Sequence, residues 1–424
     1  MRLPQHIYMI GIGGIGMSAL AQLLKHEGKD VSGTDRDDSP VVEMLSQKGV
    51  EVTVGVAGMP EGTEMLIYSD AVPASNAVRT QARETGIPEL SYFEALGEIS
   101  RGKRTVAVAG THGKTTTTGM LAKILADAGE KPTAIVGSIV RDFGSNFLAG
   151  RDDLFVVEAC EYRDHLLKLD PEILVITNIE LDHTDYFPDL AAVQETFRKA
   201  AEKVPAHGAI ITNPEDAHIA PILENVSARV VDYKRMAVGS LQLVGEFNRD
   251  NARAALAAAH IVAPKLSLEA GVHSLSQFKG SWRRFDYKGE TPSGAIVYDD
   301  YAHHPTAIMK TVAAAREKFP EKKIVVTFHP HLYSRTKSLL HEFAAALASA
   351  DQAIVAPIYA AREEVDPEIS NHVLAREAAD KGGDVIALDS FDAIRDELLK
   401  FDSSHLIITM GAGDIYKVAE QIAD

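Results

Sequence analysis

The feature that most constrains this chain is Val106-Ala-Val-Ala-Gly-Thr-His-Gly-Lys-Thr-Thr-Thr-Thr118, an apolar run that turns through Gly110 and Gly113 into Lys114 and a row of threonines. The pattern predicts a strand, a glycine turn and a helix beginning near Thr115. Together these make a phosphate cradle. Glycines let backbone N–H groups approach an anion, the helix start points its positive end at the same spot, and Lys114 adds a mobile charge. Thr115 offers a hydroxyl to a phosphate-bound magnesium ion, as the Ser/Thr of a P-loop does. The full P-loop pattern has a glycine about five residues before Gly113. Val108 stands there, so the motif is a shortened relative of that loop.

A chain of 424 residues suggests about two to four domains. Hydrophobic content of 46%, charged content of 24% and the lack of an apolar run near the roughly 18 residues that span a bilayer describe a soluble globular protein with no membrane partner. Residues Met1 to His6 lead into a strand without a charged and then apolar leader, so a cytoplasmic location is expected. Cys160 is the only cysteine and cannot form an intramolecular disulfide, which fits a reducing compartment and reads as a small buried hydrophobe. A net charge of -17 argues against nucleic acid as a partner, since phosphate backbones need a basic face. Small anions held by local glycine loops remain compatible with it.

Taken in order, His6-Ile-Tyr-Met-Ile10 reads as a strand, Gly11-Ile-Gly-Gly-Ile-Gly16 as a turn, and the apolar-periodic stretch to His26 as a helix. The next strand, Val31 to Asp35, ends on an acid about twenty residues past the glycines, as in dinucleotide folds. Ser69-Asp-Ala-Val-Pro73 follows a later strand of the same sheet. Beyond the Val106 to Thr118 motif, the strand Leu154 to Val157 delivers Glu158, and Ile173 to Thr177 delivers Asn178 with Asp182 and His183 just beyond. Carboxylate, amide and imidazole on successive strand ends of a sheet with a phosphate loop point to a metal-assisted phosphate site. Alone, each would be a helix cap or a solvated loop residue. Asn248 and Asn251 open an alanine-rich helix running from Asn251 to about Ala263, where caps are the plain reading. The alternation then starts a third time at Ala295 to Tyr298, passes Asp299-Asp-Tyr-Ala-His-His-Pro305 and His329-Pro-His-Leu-Tyr-Ser-Arg-Thr336, and closes after Met410-Gly-Ala-Gly-Asp414.

With Gly110-Thr-His-Gly-Lys-Thr-Thr116, Glu158-Ala-Cys-Glu161, Asp182-His183, Arg283-Arg284-Phe285, Asp299 to Pro305, Pro330 to Thr336 and Met410 to Ile415 in view, the chain resembles the Mur ligases over its whole length, and most of all their alanine-adding branch. The resemblance implies an α/β fold in three domains: a Rossmann-like domain at 1–103 for a UDP-sugar, a P-loop-type central ATPase domain at 104–286, and a Rossmann-like domain at 287–424 for the amino acid. It implies ATP, Mg²⁺ (with Mn²⁺ as a substitute), UDP-N-acetylmuramate and L-alanine as ligands, and a monomer or homodimer.

Residue by residue, the resemblance implies that Gly11, Gly13, Gly14, Ile15 and Gly16 lie at the UDP-sugar diphosphate, with Asp35 and Ser69 near the uridine. Gly110, Thr111, His112 and Gly113 would form the ATP loop with Thr116, Lys114 would clamp the β- and γ-phosphates, Thr115 and Glu158 would ligate one Mg²⁺, and His183 would serve a second. Asn248, Asn251 and Arg284 would meet the nucleotide, with Asp300 at its ribose. Tyr301, His303, His331 and Arg335 would complete the catalytic pocket, Arg335 taking the alanine carboxylate with its bidentate fork. The implied chemistry is carboxylate activation to an acyl phosphate followed by attack of the alanine amine, with domain closure to exclude water. Three departures stand out: few residues lie between Asp232 and Gly245, Arg198 replaces the lysine that several relatives carbamylate, and Leu332 replaces an arginine. The alternatives are a recycling ligase that adds a tripeptide to the same sugar nucleotide, a nicotinamide dehydrogenase suggested by the first glycine turn, and a nucleotide-dependent switch.

Overall fold

Long runs of Val, Ile and Ala between helices favour parallel strands buried on both faces, and the chain forms three such sheets. The computed structural model describes residues 3–361 and 363–423; Met1, Arg2, Arg362 and Asp424 lie outside them. The described residues divide into two compact units: 3–179 with 193–239 and 251–279, and 180–192 with 240–250, 280–361 and 363–423.

The first unit holds two sheets. One comprises β1 (His6–Ile10), β2 (Asp30–Asp35), β3 (Glu51–Val54), β4 (Met65–Tyr68) and β5 (Glu89–Ser91). It is wholly parallel, in the order β3-β2-β1-β4-β5. The strand order reverses beside β1, and the crevice outside the carboxyl ends at such a reversal is where ligands bind in open α/β sheets. The other sheet comprises β6 (Arg104–Ala109), β7 (Pro132–Val140), β8 (Ser145–Leu148), β9 (Arg151–Glu158), β10 (Ile173–Ile176), β11 (Ala209–Thr212) and β12 (Arg229–Asp232). Its order is β12-β11-β10-β6-β9-β7-β8, and only the β7–β8 pair is antiparallel. β6 lies in its centre with Val106, Ala107, Val108 and Ala109 fully buried. Helix Ile15–His26, which follows the first glycine turn, is tied to the β7–β8 hairpin. Asn146 donates to Ile15 O and to Ser18 Oγ at 2.9 Å, while Ser145 donates to Gln22 Oε1 at 2.9 Å.

The second unit holds β13 (Asp286–Glu290), β14 (Ile296–Asp300), β15 (Lys323–Phe328), β16 (Gln352–Val355), β17 (Val385–Ala387) and β18 (His405–Met410), in the order β13-β14-β18-β15-β16-β17. β13 is antiparallel to β14 and the rest are parallel. Alternation along β15 serves both faces: Ile324, Val326 and Phe328 join one apolar cluster and Val325 the other.

Two expectations are corrected. The alanine-rich helix begins at Glu246, directly after Gly245 at φ +91°, so Asn248 and Asn251 lie one turn apart inside it and are not caps. Strand β14 extends through Asp300, because both acids find partners along the strand. Arg335 lies within the short helix Tyr333–Ser338. The β7–β8 hairpin was not foreseen, since its β-branched run carries Gly137 and no standard two-residue turn. Between Asp232 and Gly245 the chain makes a single turn of 3₁₀ helix at Tyr233–Arg235.

Candidate functional site

At the switch point of the first sheet the glycine turn is closed by Asp35. Its Oδ2 accepts from Gly13 N at 2.8 Å, and Gly11 N donates to Thr34 O at 2.9 Å. Gly11 has φ +73°, and a Cβ there would come within 2.8 Å of Ser69 Cβ. The structure thus brings Gly11, Gly13, Asp35 and Ser69 together at adjacent strand ends. The helix Ile15–His26 begins at Gly14 with no side-chain cap, so its first N–H groups face an incoming anion.

The second turn is built differently. Gly110 (φ +130°) and Gly113 (φ +84°) let the chain fold over the end of β6, and Asn178 sews the loop down from β10. Its Oδ1 accepts from His112 N at 2.9 Å, its backbone carbonyl accepts from Thr111 N at 3.1 Å, and its Nδ2 donates to His112 O at 3.0 Å. Thr177 Oγ1 donates to the same carbonyl at 2.6 Å. Asn251 closes the other side: a Cβ on Gly113 would lie 2.2 Å from Asn251 Oδ1. The helix Lys114–Asp127 then starts with no side-chain cap.

Lys114 points back over this loop. Its ammonium donates to Gly110 O, to Thr111 O at 3.2 Å, and to both Glu161 oxygens at 3.0 and 3.2 Å. Burial is the largest single influence and works to depress the lysine, but the charges of Glu161, Cys160 and Glu158 together outweigh it and the pKa stands above the ordinary value. Lys114 is therefore a charged group held in place by a carboxylate that is itself only 3% exposed. Nothing in the local sequence around Glu161 assigns it this partner, which lies 47 positions away. Beside it, Thr115 Oγ1 donates to Glu158 Oε1 at 3.1 Å, and Gly137 N donates to Glu158 Oε2 at 2.7 Å. A Cβ on Gly137 would lie 2.4 to 2.6 Å from the Glu158 carboxylate oxygens. An isolated glycine inside a strand marks such a close approach, which was the available signal. Two neighbouring ligands of an octahedral magnesium ion stand about 2.9 Å apart, so the hydroxyl–carboxylate pair fits that ion in spacing and in hard-oxygen chemistry.

In the second unit a different set converges. Asp182 and Arg335 are buried together, with Arg335 Nε and Nη2 donating to Asp182 Oδ1 at 3.0 and 2.8 Å. Burial would raise the Asp182 carboxyl, yet Arg335 and then His183 hold it well below its usual range. One edge of the Arg335 fork is thus engaged, while Nη1 reaches toward His331 Nδ1 at 3.4 Å. His303 Nδ1 lies 2.8 Å from Tyr301 O. A carbonyl only accepts, so that nitrogen carries the proton and Nε2 keeps a lone pair. Burial and then the Arg335 charge push His303 well below the ordinary histidine range, leaving it neutral.

Of the paired arginines, Arg283 is structural. It donates to Asp299 at 2.8 Å and to Gly413 O and Gly411 O at 3.0 and 2.6 Å, while Arg284 lies 5.0 Å over the Tyr301 ring. Asp300 accepts from Phe285 N and Ala302 N at 2.7 Å each, and burial lifts its pKa to about 6. Both of its oxygens already serve the backbone. Ionising it weakens the fold as pH rises from about 4 through 6. Leu332 holds φ +71° with its side chain buried and its N–H donating to Tyr359 O at 2.9 Å. His183 (φ +52°) donates its N–H to Asp182 Oδ1 at 2.6 Å and belongs to this unit, so Thr115, Glu158 and His183 are not brought together within either unit.

Comparison with known proteins matches one family profile to each of the three sheets. The sequence profile of the Mur ligase family, catalytic domain, matches residues 6–104; that of the Mur ligase middle domain matches 108–238; and that of the Mur ligase, glutamate ligase domain, matches 283–413. The UDP-N-acetylmuramate–L-alanine ligase of Caldanaerobacter subterraneus subsp. tengcongensis is 35% identical over 99% of this chain and 97% of its own length. That of Desulfitobacterium hafniense is 37% identical over 99% and 100%. In fold, the chain is similar to the UDP-N-acetylmuramate-alanine ligase of Thermotoga maritima (TM-score 0.80, 24% identity, 98% of each chain). It is also similar to a murein peptide ligase of Psychrobacter arcticus (TM-score 0.73, 23% identity, 99% and 100%). Three family profiles in series, relatives aligned from end to end, and a phosphate loop with its lysine and carboxylates lead to one conclusion: the chain belongs to the Mur ligase family.

Proposed function

We propose that this protein is an ATP-dependent amide-forming ligase that joins L-alanine to the carboxylate of UDP-N-acetylmuramate in peptidoglycan precursor synthesis. The observation that carries the reading is the end-to-end match to relatives of that name. On this reading residues 1–103, 104–286 and 287–424 form the sugar-nucleotide, ATP and amino-acid domains. The N–H groups after Gly14 bind the UDP-sugar diphosphate, with Asp35 and Ser69 near the uridine. Gly110, Thr111, His112, Gly113 and Thr116 take the ATP phosphates, while Asn248, Asn251, Arg284 and Asp300 serve the rest of the nucleotide.

A carboxylate is a poor electrophile, so it first attacks the γ-phosphate of ATP, giving an acyl phosphate and ADP. The alanine amine then displaces phosphate. Both reactants of the first step are anions, and Lys114 offsets their repulsion from a fixed position. Magnesium bound by Thr115 and Glu158, with His183 serving a second ion, would supply the remaining positive charge. Mn²⁺ has similar hard-oxygen chemistry and would substitute. Arg335 uses the N–H groups not given to Asp182 to take the alanine carboxylate, and the neutral Nε2 of His303 is placed to accept a proton. His331 and Tyr301 complete the amino-acid pocket. Among the described residues no helix is long and apolar enough to cross a membrane, in keeping with work in the cytoplasm as a monomer or homodimer.

The deciding assay supplies ATP, Mg²⁺ and UDP-N-acetylmuramate with amino acids or the tripeptide singly, and measures phosphate and the new amide. Product with L-alanine is expected. Product with the tripeptide alone would overturn the substrate assignment.

A further inference from the structure

Tyr92 opens the helix Tyr92–Ser100, whose start is fixed by a capping box between Ser91 and Glu94. Its ring lies against the first turn of the helix Ile15–His26: a Cβ on Gly16 would meet Tyr92 Cζ at 2.8 Å and the hydroxyl oxygen at 2.9 Å. On its other side the ring meets Phe93 edge-on at 4.8 Å, and Phe93 stacks on His165 at 3.7 Å. His165 pairs at 3.0 Å with Asp70, the residue after Ser69. The side chain is therefore braced between the glycine turn and the Ser69 loop.

Tyr92 is half-buried, and among the described residues its hydroxyl makes no hydrogen bond, which leaves it able to donate to a ligand. Burial, and after it the charges of Glu158 and Cys160, raise its pKa, so it remains a proton donor at any physiological pH. Glu158, which ends a strand of the second sheet, contributes to that rise through its charge. A neutral donor there tolerates that carboxylate and still attracts an anion.

We infer that Tyr92 is a binding residue for the sugar nucleotide, its hydroxyl donating to an anionic oxygen of the diphosphate or of the sugar's carboxylate beside the Gly11–Gly16 turn. The inference rests on the proposed function. A hydrogen bond to a charged acceptor is worth about ten- to a hundredfold in affinity.

The test is calorimetric titration of wild type and Tyr92→Phe, which keeps the ring and its packing, with UDP-N-acetylmuramate, UDP-N-acetylglucosamine, UDP and ATP. The expected result is a Kd for UDP-N-acetylmuramate raised about tenfold or more, with ATP affinity unchanged. Weakening of all three uridine ligands would assign the diphosphate; weakening of UDP-N-acetylmuramate alone would assign the carboxylate. Unchanged binding, or equal loss of ATP affinity, would overturn the inference. Failure of the wild-type protein to bind UDP-N-acetylmuramate would overturn the functional reading itself, and the inference with it.

Discussion

Of the two glycine turns in the first unit, the one at Gly11–Gly16 offers an anion the N–H groups of a helix start beside the Asp35 carboxylate, whereas the one at Gly110–Gly113 adds the Lys114 ammonium, its Glu161 counter-ion and the Thr115–Glu158 pair. The first suits a ligand that is held and oriented. The second suits a phosphate whose charge changes during reaction, because fixed cations and metal-ready oxygens stabilise developing charge. Backbone geometry differs as well. The helix after the first turn starts from Gly14 at φ -60°, ψ 142°, an ordinary extended conformation, while the second starts from Gly113 in the left-handed region. Glycine at position 14 is thus required by the fold only through a Cβ that would stand 3.3 Å from Gly11 O, whereas glycine at 113 is required by its left-handed backbone as well as by a clash with Asn251.

That contrast can be broken by mutation. Lys114→Ala should lower turnover about a thousandfold while leaving UDP-sugar affinity intact. It should also lower stability, because the buried Glu161 loses the ammonium that pairs with it. Adding Glu161→Gln should recover most of the denaturation midpoint and none of the turnover; recovery of both would deny Lys114 its part in the reaction. Next in size, Gly113→Ala adds left-handed strain to a clash with Asn251, about 2–3 kcal/mol together, and should weaken ATP binding roughly thirty- to a hundredfold along with thermal stability.

Gly137→Ala pushes on the Glu158 carboxylate and should weaken Mn²⁺ binding in the presence of ATP about tenfold in a calorimetric titration. An unaltered isotherm would remove Glu158 from the metal site. The smallest effect on the fold belongs to Gly14→Ala, expected to change stability by less than about 0.5 kcal/mol while weakening UDP-sugar binding up to about tenfold. If it instead unfolds the protein, the division between a ligand glycine and a fold glycine fails.

Much of this was readable in the sequence because it is written locally. Strands β1, β6 and β15 are continuous apolar runs, and both glycine turns and the Lys114-Thr115 pair follow them directly. The start of the alanine-rich helix was misread because asparagines that line a helix face resemble asparagines that cap it until Gly245 is seen to make the break. The β7–β8 hairpin and the clamp from Gly137 carried a weaker signal, one glycine in a β-branched run.

The sequence by itself determined three rounds of strand and helix, the two glycine turns and the cast of titratable residues at their rims, since apolar runs and glycine turns act over a few neighbours. Only the tertiary structure decided the pairings. Glu161 holds Lys114 from 47 positions away, Gly137 N–H holds Glu158 from 21, and Asp182 holds Arg335 from 153. No periodicity links such residues. Each pair exists because parallel strands deliver their ends to one edge of a sheet, or because a loop folds back on it, and burial there makes an unpaired charge too costly to leave alone.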